Sequence, residues 1–313
     1  MIISASRRTD IPAYYSEWFF NRLKEGYVYV RNPMNPRMIS SISLSSSLVD
    51  GIVFWTKNPA PMLDRLSELQ NYPYYFQFTL TPYGTDIEPN VPSKGQFIVP
   101  MFRKLALMIG KERVIWRYDP ILINEKYSTA YHIKYFRILC ERLENHTEKC
   151  TISFIDLYSK ILRRISPLGI RPPTQQETED IAGHFSEIAK EHGLCIDTCS
   201  EKIDFSTFGI NRASCIDGNL LEHIGRYSLN AKKDSNMRKD CGCIESIDIG
   251  AYNTCSHGCI YCYANYSDTC VTNHAEMYNP YSPLLCSSIK EGDIIKPRLM
   301  HSLRQSQISW FND

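Results

Sequence analysis

No segment of this 313-residue chain is both uncharged and predominantly apolar over the roughly 20 residues that a bilayer-spanning helix needs, which argues against a helical membrane protein. Neither a repeat at solenoid period nor a low-complexity tract is present, which sets aside a repeat array and a long disordered region. Excess charge is missing too: 35 Lys and Arg face 34 Asp and Glu, a net charge of +1. A standing attraction to nucleic acid or anionic lipid needs surplus cations, so neither nucleic acid nor a membrane is expected as a partner, while a local basic pocket stays compatible with the balance. The opening Met-Ile-Ile-Ser-Ala-Ser-Arg-Arg has no charged segment leading into a long apolar run, so no export signal is read there and a cytoplasmic location is expected.

Cysteine, by contrast, is plentiful. Ten of the twelve lie between Cys195 and Cys286, and only Cys140 and Cys150 precede them. In a reducing compartment such a cluster points to metal binding or catalysis rather than disulfides.

Over about the first 200 residues, short apolar or β-branched runs alternate with helical patterns, as repeated βα units around a parallel sheet require. The strand candidates are Met1 to Ala5, Gly51 to Trp55, Tyr74 to Leu80, Arg113 to Trp116, Cys150 to Ile155 and Leu194 to Asp197. Tyr15, Phe19 and Leu23 share a helix face that Gly26 ends, and Asn58-Pro59 reads as a cap and first-turn proline. Thr174-Gln-Gln-Glu177 is a capping box ahead of Ile181, Phe185 and Ile188. The expected class is α/β, a partial or complete (β/α) barrel over residues 1–200, with a doubly wound open sheet giving much the same pattern. A cysteine-rich iron-sulfur region over residues 201–313 is expected to pack on the barrel.

The strongest chemical signal is Tyr252-Asn-Thr-Cys255-Ser-His-Gly-Cys259-Ile-Tyr261-Cys262-Tyr-Ala-Asn265. Thiols spaced by three and two residues can wrap one face of a [4Fe-4S] cluster, and Gly258 lets the backbone turn closely around it. Three ligands leave one iron for a fourth protein thiolate or a small ligand. Zinc is the competing metal, with Cys241-Gly-Cys243 completing its ligands. Cys199, Cys215, Cys241 and Cys243 form a possible second set, for an auxiliary cluster, for zinc, or to lend one thiolate to the first cluster; the alternative is that they are small buried side chains. Cys140, Cys150, Cys195, Cys270 and Cys286 are read as structural. His257 is read as a loop position, with a role as fourth ligand or as donor to a sulfur as the alternative.

In a parallel barrel, ligands sit at the carboxyl ends of the strands. The residues that follow the strand candidates there are polar: Arg7, Arg8 and Asp10; Lys57 and Asn58; Arg117 and Asp119; Asp156 and Tyr158; Ser200 and Glu201. Convergence of Arg7, Arg8, Lys57 and Arg117 would suit a carboxylate or phosphate, hence an anionic small-molecule substrate, with Asp10 and Asp119 beside them. The alternative is that Asp10, Asn58 and Asp119 cap helices before Pro12, Pro59 and Pro120 while the cations are solvated or paired.

The Cys-x3-Cys-x2-Cys run, with Tyr261 before its third cysteine, resembles the signature of the radical S-adenosylmethionine enzymes. Ser4-Ala-Ser-Arg-Arg-Thr-Asp10-Ile-Pro12, Trp55-Thr-Lys-Asn-Pro59 and the stretch from Cys241 to Asn265 resemble an uncharacterised bacterial family of unknown function, itself distantly similar to spore photoproduct lyase. The resemblance implies a cluster on Cys255, Cys259 and Cys262 whose open iron chelates S-adenosylmethionine, with Tyr261 and Asn265 beside the cofactor. It also implies a one-electron reductant such as a ferredoxin or flavodoxin, and hydrogen abstraction by a 5'-deoxyadenosyl radical. In that family the cysteines follow the first barrel strand, whereas here they come after every strand candidate, and its Gly-Gly-Glu type segment is absent. Two further readings stand beside it: a non-radical [4Fe-4S] protein (an electron carrier, or a lyase or transferase using Lewis-acid iron) and a binding module with structural zinc.

Overall fold

The computed structural model describes residues 1–238 and 241–305. In chain order the strands are β1 (Ile2–Ala5), β2 (Tyr27–Arg31), β3 (Met38–Ser43), β4 (Gly51–Thr56), β5 (Tyr74–Thr79), β6 (Val114–Ile121), β7 (Lys149–Phe154), β8 (Cys195–Thr198), β9 (Asn211–Arg212), β10 (Ser246–Asp248) and β11 (Ile294–Pro297). The α-helices are α1 (Ile11–Tyr14), α2 (Ser16–Glu25), α3 (Val99–Ile109), α4 (Thr129–Leu143), α5 (Ser159–Ile165), α6 (Gln175–Glu191), α7 (Gly218–Gly225) and α8 (Asp268–Glu276).

Eight strands form one sheet in the order β10-β1-β4-β5-β6-β7-β8-β9, and every neighbouring pair is parallel. The fold is therefore α/β, with helices flanking a parallel sheet. Residues after 200 pack on this sheet and also extend it, through β9 at one edge and β10 at the other. A smaller sheet, β11-β3-β2, lies apart from it. Among the described residues no helix is long and apolar enough to cross a membrane.

All six expected strands form, because buried parallel strands carry apolar runs that leave a plain local mark. β6 runs longer than expected, which corrects the placement of Arg117 and Asp119: both lie within the strand, and Asp119 caps no helix. The β6–β7 register shifts between Tyr118 and Ile121, where Pro120 has no N–H to give the ladder. Asn58 is not the expected helix cap: Pro59 is the N-cap of the 3₁₀ helix Ala60–Leu69, and Asn58, one residue earlier, accepts at Oδ1 from Ala60 N at 3.1 Å.

α2 ends at Gly26, whose φ of +78° is a left-handed cap, and α6 starts with the Thr174/Glu177 capping box. The face of α6 then reaches the core. Phe185 stacks on Phe136 of α4 with ring centroids 3.8 Å apart, and Phe136 stacks in turn on Trp116 of β6. Cys140 and Cys150 are buried in this core, in keeping with a structural role.

His132 of α4 is fully buried, its Nδ1 2.9 Å from the Tyr118 hydroxyl and its Nε2 2.8 Å from Leu122 O. Burial pushes its pKa down from 6.5 to about 4. Between those values the unfolded chain binds the proton and the folded chain does not, so stability is complete above the upper value and is lost as pH falls towards the lower. His132 should contribute roughly 2 kcal/mol less at about pH 5 than at neutral pH. Burial pushes the Glu201 carboxyl up to about 7, which shifts total stability the opposite way. The contribution is therefore read as the difference between the unaltered protein and His132→Gln in urea unfolding at the two pH values, and an equal pH dependence of the two would contradict the assignment.

Candidate metal centre and cavity

A cavity of about 480 Å³ opens at the carboxyl ends of the strands, and Ser6, Thr56, Thr79, Asp119, Ser153 and Cys199 bring β1, β4, β5, β6, β7 and β8 to its wall. Cys255, Cys259 and Cys262 also line it, as do Cys215, Cys241 and Cys243. All seven thiols singled out in the sequence therefore face one space.

The loop bearing the first three starts directly after β10. Asp248, the last residue of that strand, ties it to β1: its carboxylate accepts from Ser4 Oγ at 3.0 Å, Ser6 Oγ at 2.6 Å and the Arg7 N–H at 2.9 Å. Because β10 pairs with β1 at the sheet edge, the motif that comes last in sequence sits beside the first strand in space. Ile260 N donates to Ile87 O at 3.1 Å, Asn90 Nδ2 donates to Ser256 O at 2.8 Å, and the Tyr15 hydroxyl donates to Thr254 O. These bonds fix the loop from both sides. Gly258 sits at φ +69°, and a Cβ there would meet Pro89 Cγ at 3.1 Å and Asn90 Nδ2 at 3.2 Å. Gly258→Ala should therefore cost about 1–2 kcal/mol, from left-handed backbone strain and disturbance of the Asn90 clamp, read as a lowered urea midpoint.

Burial raises the pKa of all three thiols, that of Cys259 to about 12 against the pull of the Lys57 cation. The thiols acting on Cys255 are Cys259 and Cys262. Those acting on Cys241 are Cys243, Cys215 and Cys199, so the seven fall into a group of three and a group of four. Among the described residues, no three or more His, Cys, Asp or Glu side chains are arranged to hold a single metal ion.

In the group of four, Cys199 Sγ lies 3.1 Å from Cys215 Sγ, and Cys215, Cys243 and Cys241 are close enough for each thiol to act on the protonation of the next. Tyr75 Oη and Gln77 Nε2 hold Cys215 O at 2.7 and 2.9 Å.

All four cations line the cavity, and each is already engaged by a partner, the arrangement of the paired-cation alternative. Arg117 Nε donates to Asp119 Oδ2 at 3.0 Å, and its Nη1 to Cys215 Sγ at 3.0 Å. Lys57 Nζ donates to Glu88 Oε1 at 2.7 Å; Lys94 pairs with the other oxygen of Glu88, and the Tyr261 hydroxyl also donates to this carboxylate. Arg7 lies over Trp55 and donates to Met237 Sδ at 2.6 Å. Arg8 has the loosest partner, Asp248 Oδ1 at 3.8 Å from its Nε, and its guanidinium lies over Tyr252. Two polar atoms of the cavity lining, Arg7 Nε and Thr9 Oγ1, are buried without a hydrogen-bond partner.

Asp10 does cap α1, accepting from Ala13 N at 3.0 Å, and it also accepts from Lys57 N at 2.7 Å. Its Oδ2 lies 2.8 Å from His257 Nε2, while His257 Nδ1 lies 3.0 Å from the Tyr14 hydroxyl. This corrects the reading of His257 as a plain loop position: it is buried, and both ring nitrogens are engaged, which leaves neither for a metal. Asn265 is not part of the cavity lining; its Nδ2 donates to Cys255 O, so it braces the loop. Tyr261 lines the cavity by its ring while its hydroxyl is held by Glu88.

Glu88, Lys94 and Asp248 escaped the sequence reading. Glu88 and Lys94 lie in a Pro- and Gly-containing connection where charged side chains look solvated, and no local pattern marks a buried one.

A family model described as "Domain of unknown function (DUF1848)" matches residues 2–264, a span that contains all seven thiols. No curated protein and no solved structure matches the chain.

Proposed function

The chain belongs to the DUF1848 family, a domain of unknown function, and from that premise we propose an iron-sulfur enzyme of the radical S-adenosylmethionine type, acting on a small anionic substrate in the cavity. One observation carries this reading: the Cys255, Cys259, Cys262 loop follows β10, the edge strand beside β1, and lines a cavity at the carboxyl ends of the parallel strands. We read this edge strand as the counterpart of the strand that precedes the radical enzymes' cysteines, with the chain order permuted. We read the sheet as a partial (β/α) barrel, because residues from six successive strands reach one cavity. The setting is taken to be the reducing cytoplasm.

The donor set fits a four-iron cluster. Three thiols that flank a space can each take one iron, and none of the cavity's histidine nitrogens competes. An open iron with S-adenosylmethionine bound supplies one-electron chemistry for hydrogen abstraction, with a ferredoxin- or flavodoxin-like reductant. The residues of the chain hold this arrangement. Lys57 places a cation beside Cys259, favouring its thiolate, and Glu88 fixes both Lys57 and Tyr261. A cavity of this volume is in the range of small-ligand sites. An anionic group would be met by Arg8, whose ion pair is long, and by Arg7, whose Nε is unpaired.

The test is electron paramagnetic resonance of anaerobically reconstituted, reduced protein. Adding S-adenosylmethionine should shift the cluster signal. A cluster signal that the cofactor leaves untouched would replace this reading with a non-radical iron-sulfur protein, and zinc at the three-cysteine motif would overturn both.

A further inference from the structure

We propose that Cys199, Cys215, Cys241 and Cys243 form a second, fully protein-ligated metal site, a tetrathiolate facing the same cavity as the first. Its ligands come from three connections far apart in sequence: Cys199 follows β8, Cys215 precedes α7, and Cys241 and Cys243 precede β10. Four thiols from three separate connections meet at one cavity wall as a string of neighbours whose closest pair is 3.1 Å apart.

The surroundings match the needs of a metal thiolate. A zinc ion with four cysteinates and an oxidised four-iron cluster with four cysteinates each carry about two negative charges, and burying them needs nearby cations or N–H donors. Arg117 is buried and donates from Nη1 to Cys215 Sγ at 3.0 Å. Arg7 is near enough for Cys243 and Cys215 to act on its charge. The backbone N–H of Ile216 donates to Cys243 Sγ at 3.3 Å, the kind of outer bond that orients a metal ligand. Gly242 allows the Cys241–Cys243 turn to approach, since a Cβ there would meet Ser214 Oγ at 2.5 Å and Ala213 O at 3.2 Å. The ligand class is a thiophilic centre, zinc or a four-iron cluster, and the string of thiols must spread to admit either.

The site is read independently of the first. Full-length protein carrying Cys255→Ala, Cys259→Ala and Cys262→Ala is prepared anaerobically and assayed for iron, acid-labile sulfide and zinc. Retention of about four iron and four sulfide identifies a cluster; retention of about one zinc identifies a zinc site. Loss of all metal from this variant, folded by circular dichroism, overturns the proposal, and an undiminished metal content instead overturns the first centre. As a readout free of substitutions, thiol alkylation of the unaltered protein should rise at these four cysteines together once a chelator strips the metal. Unchanged labelling, or a Cys199–Cys215 disulfide already present in the anaerobically prepared protein before chelation, overturns it as well.

Discussion

Glu88→Gln should destabilise the chain by about 3–5 kcal/mol, the range for removing one partner from a buried ion pair. Glu88 is 1% exposed, and its carboxylate receives Lys57, Lys94, the Tyr261 hydroxyl and, at 2.8 Å, Thr81 Oγ1. Burial opposes its charge, but the two ammonium groups outweigh burial and hold the carboxyl far below its usual range. Gln keeps the shape and removes the charge, so Lys57 is left buried without a counterion. Lys94→Gln should cost far less, about 1 kcal/mol or below, because Glu88 then still balances Lys57. Urea unfolding of the two variants decides the matter: equal losses would mean that the trio does not work through charge balance. Because Tyr261 adjoins the third motif cysteine, Glu88→Gln should also lower the iron retained after reconstitution.

Cys259→Ala should abolish the first centre, a loss of about four iron and four sulfide per chain together with every spectral response to S-adenosylmethionine. The motif holds three thiols, and two remaining ligands are too few to keep a four-iron cluster in place. With both proteins free of the cluster, stability should differ by only about 1–2 kcal/mol, since one small buried side chain is shortened by its sulfur. Iron and sulfide analysis beside a urea midpoint separates loss of the centre from loss of the fold. Iron content equal to that of the unaltered protein would remove Cys259 from the ligand set.

The parallel sheet was legible in the apolar runs of β1, β4, β5, β6, β7 and β8, and α2 and α6 in their spacing, Gly26 and the Thr174/Glu177 box. The three-cysteine motif was legible for the same reason: its cysteines fall within eight residues, so spacing alone describes them. What lay beyond reach was set by contacts between distant residues. Nothing local marks Ser246–Asp248 as the strand beside β1, the pairing that carries the motif to the front of the sheet. Nor could spacing tell that Lys57 would find Glu88, that Asp10 would find His257, or that Cys199 would meet Cys215.

The sequence by itself thus determined the α/β class and the first thiol set, because strand burial, helix caps and a short motif are decided by neighbours along the chain. The tertiary structure alone decided where that motif stands, which cations are already paired, and that four scattered cysteines share the same cavity. Those outcomes depend on parallel pairing and convergence at the carboxyl end of the sheet, where residues more than 200 positions apart come into contact.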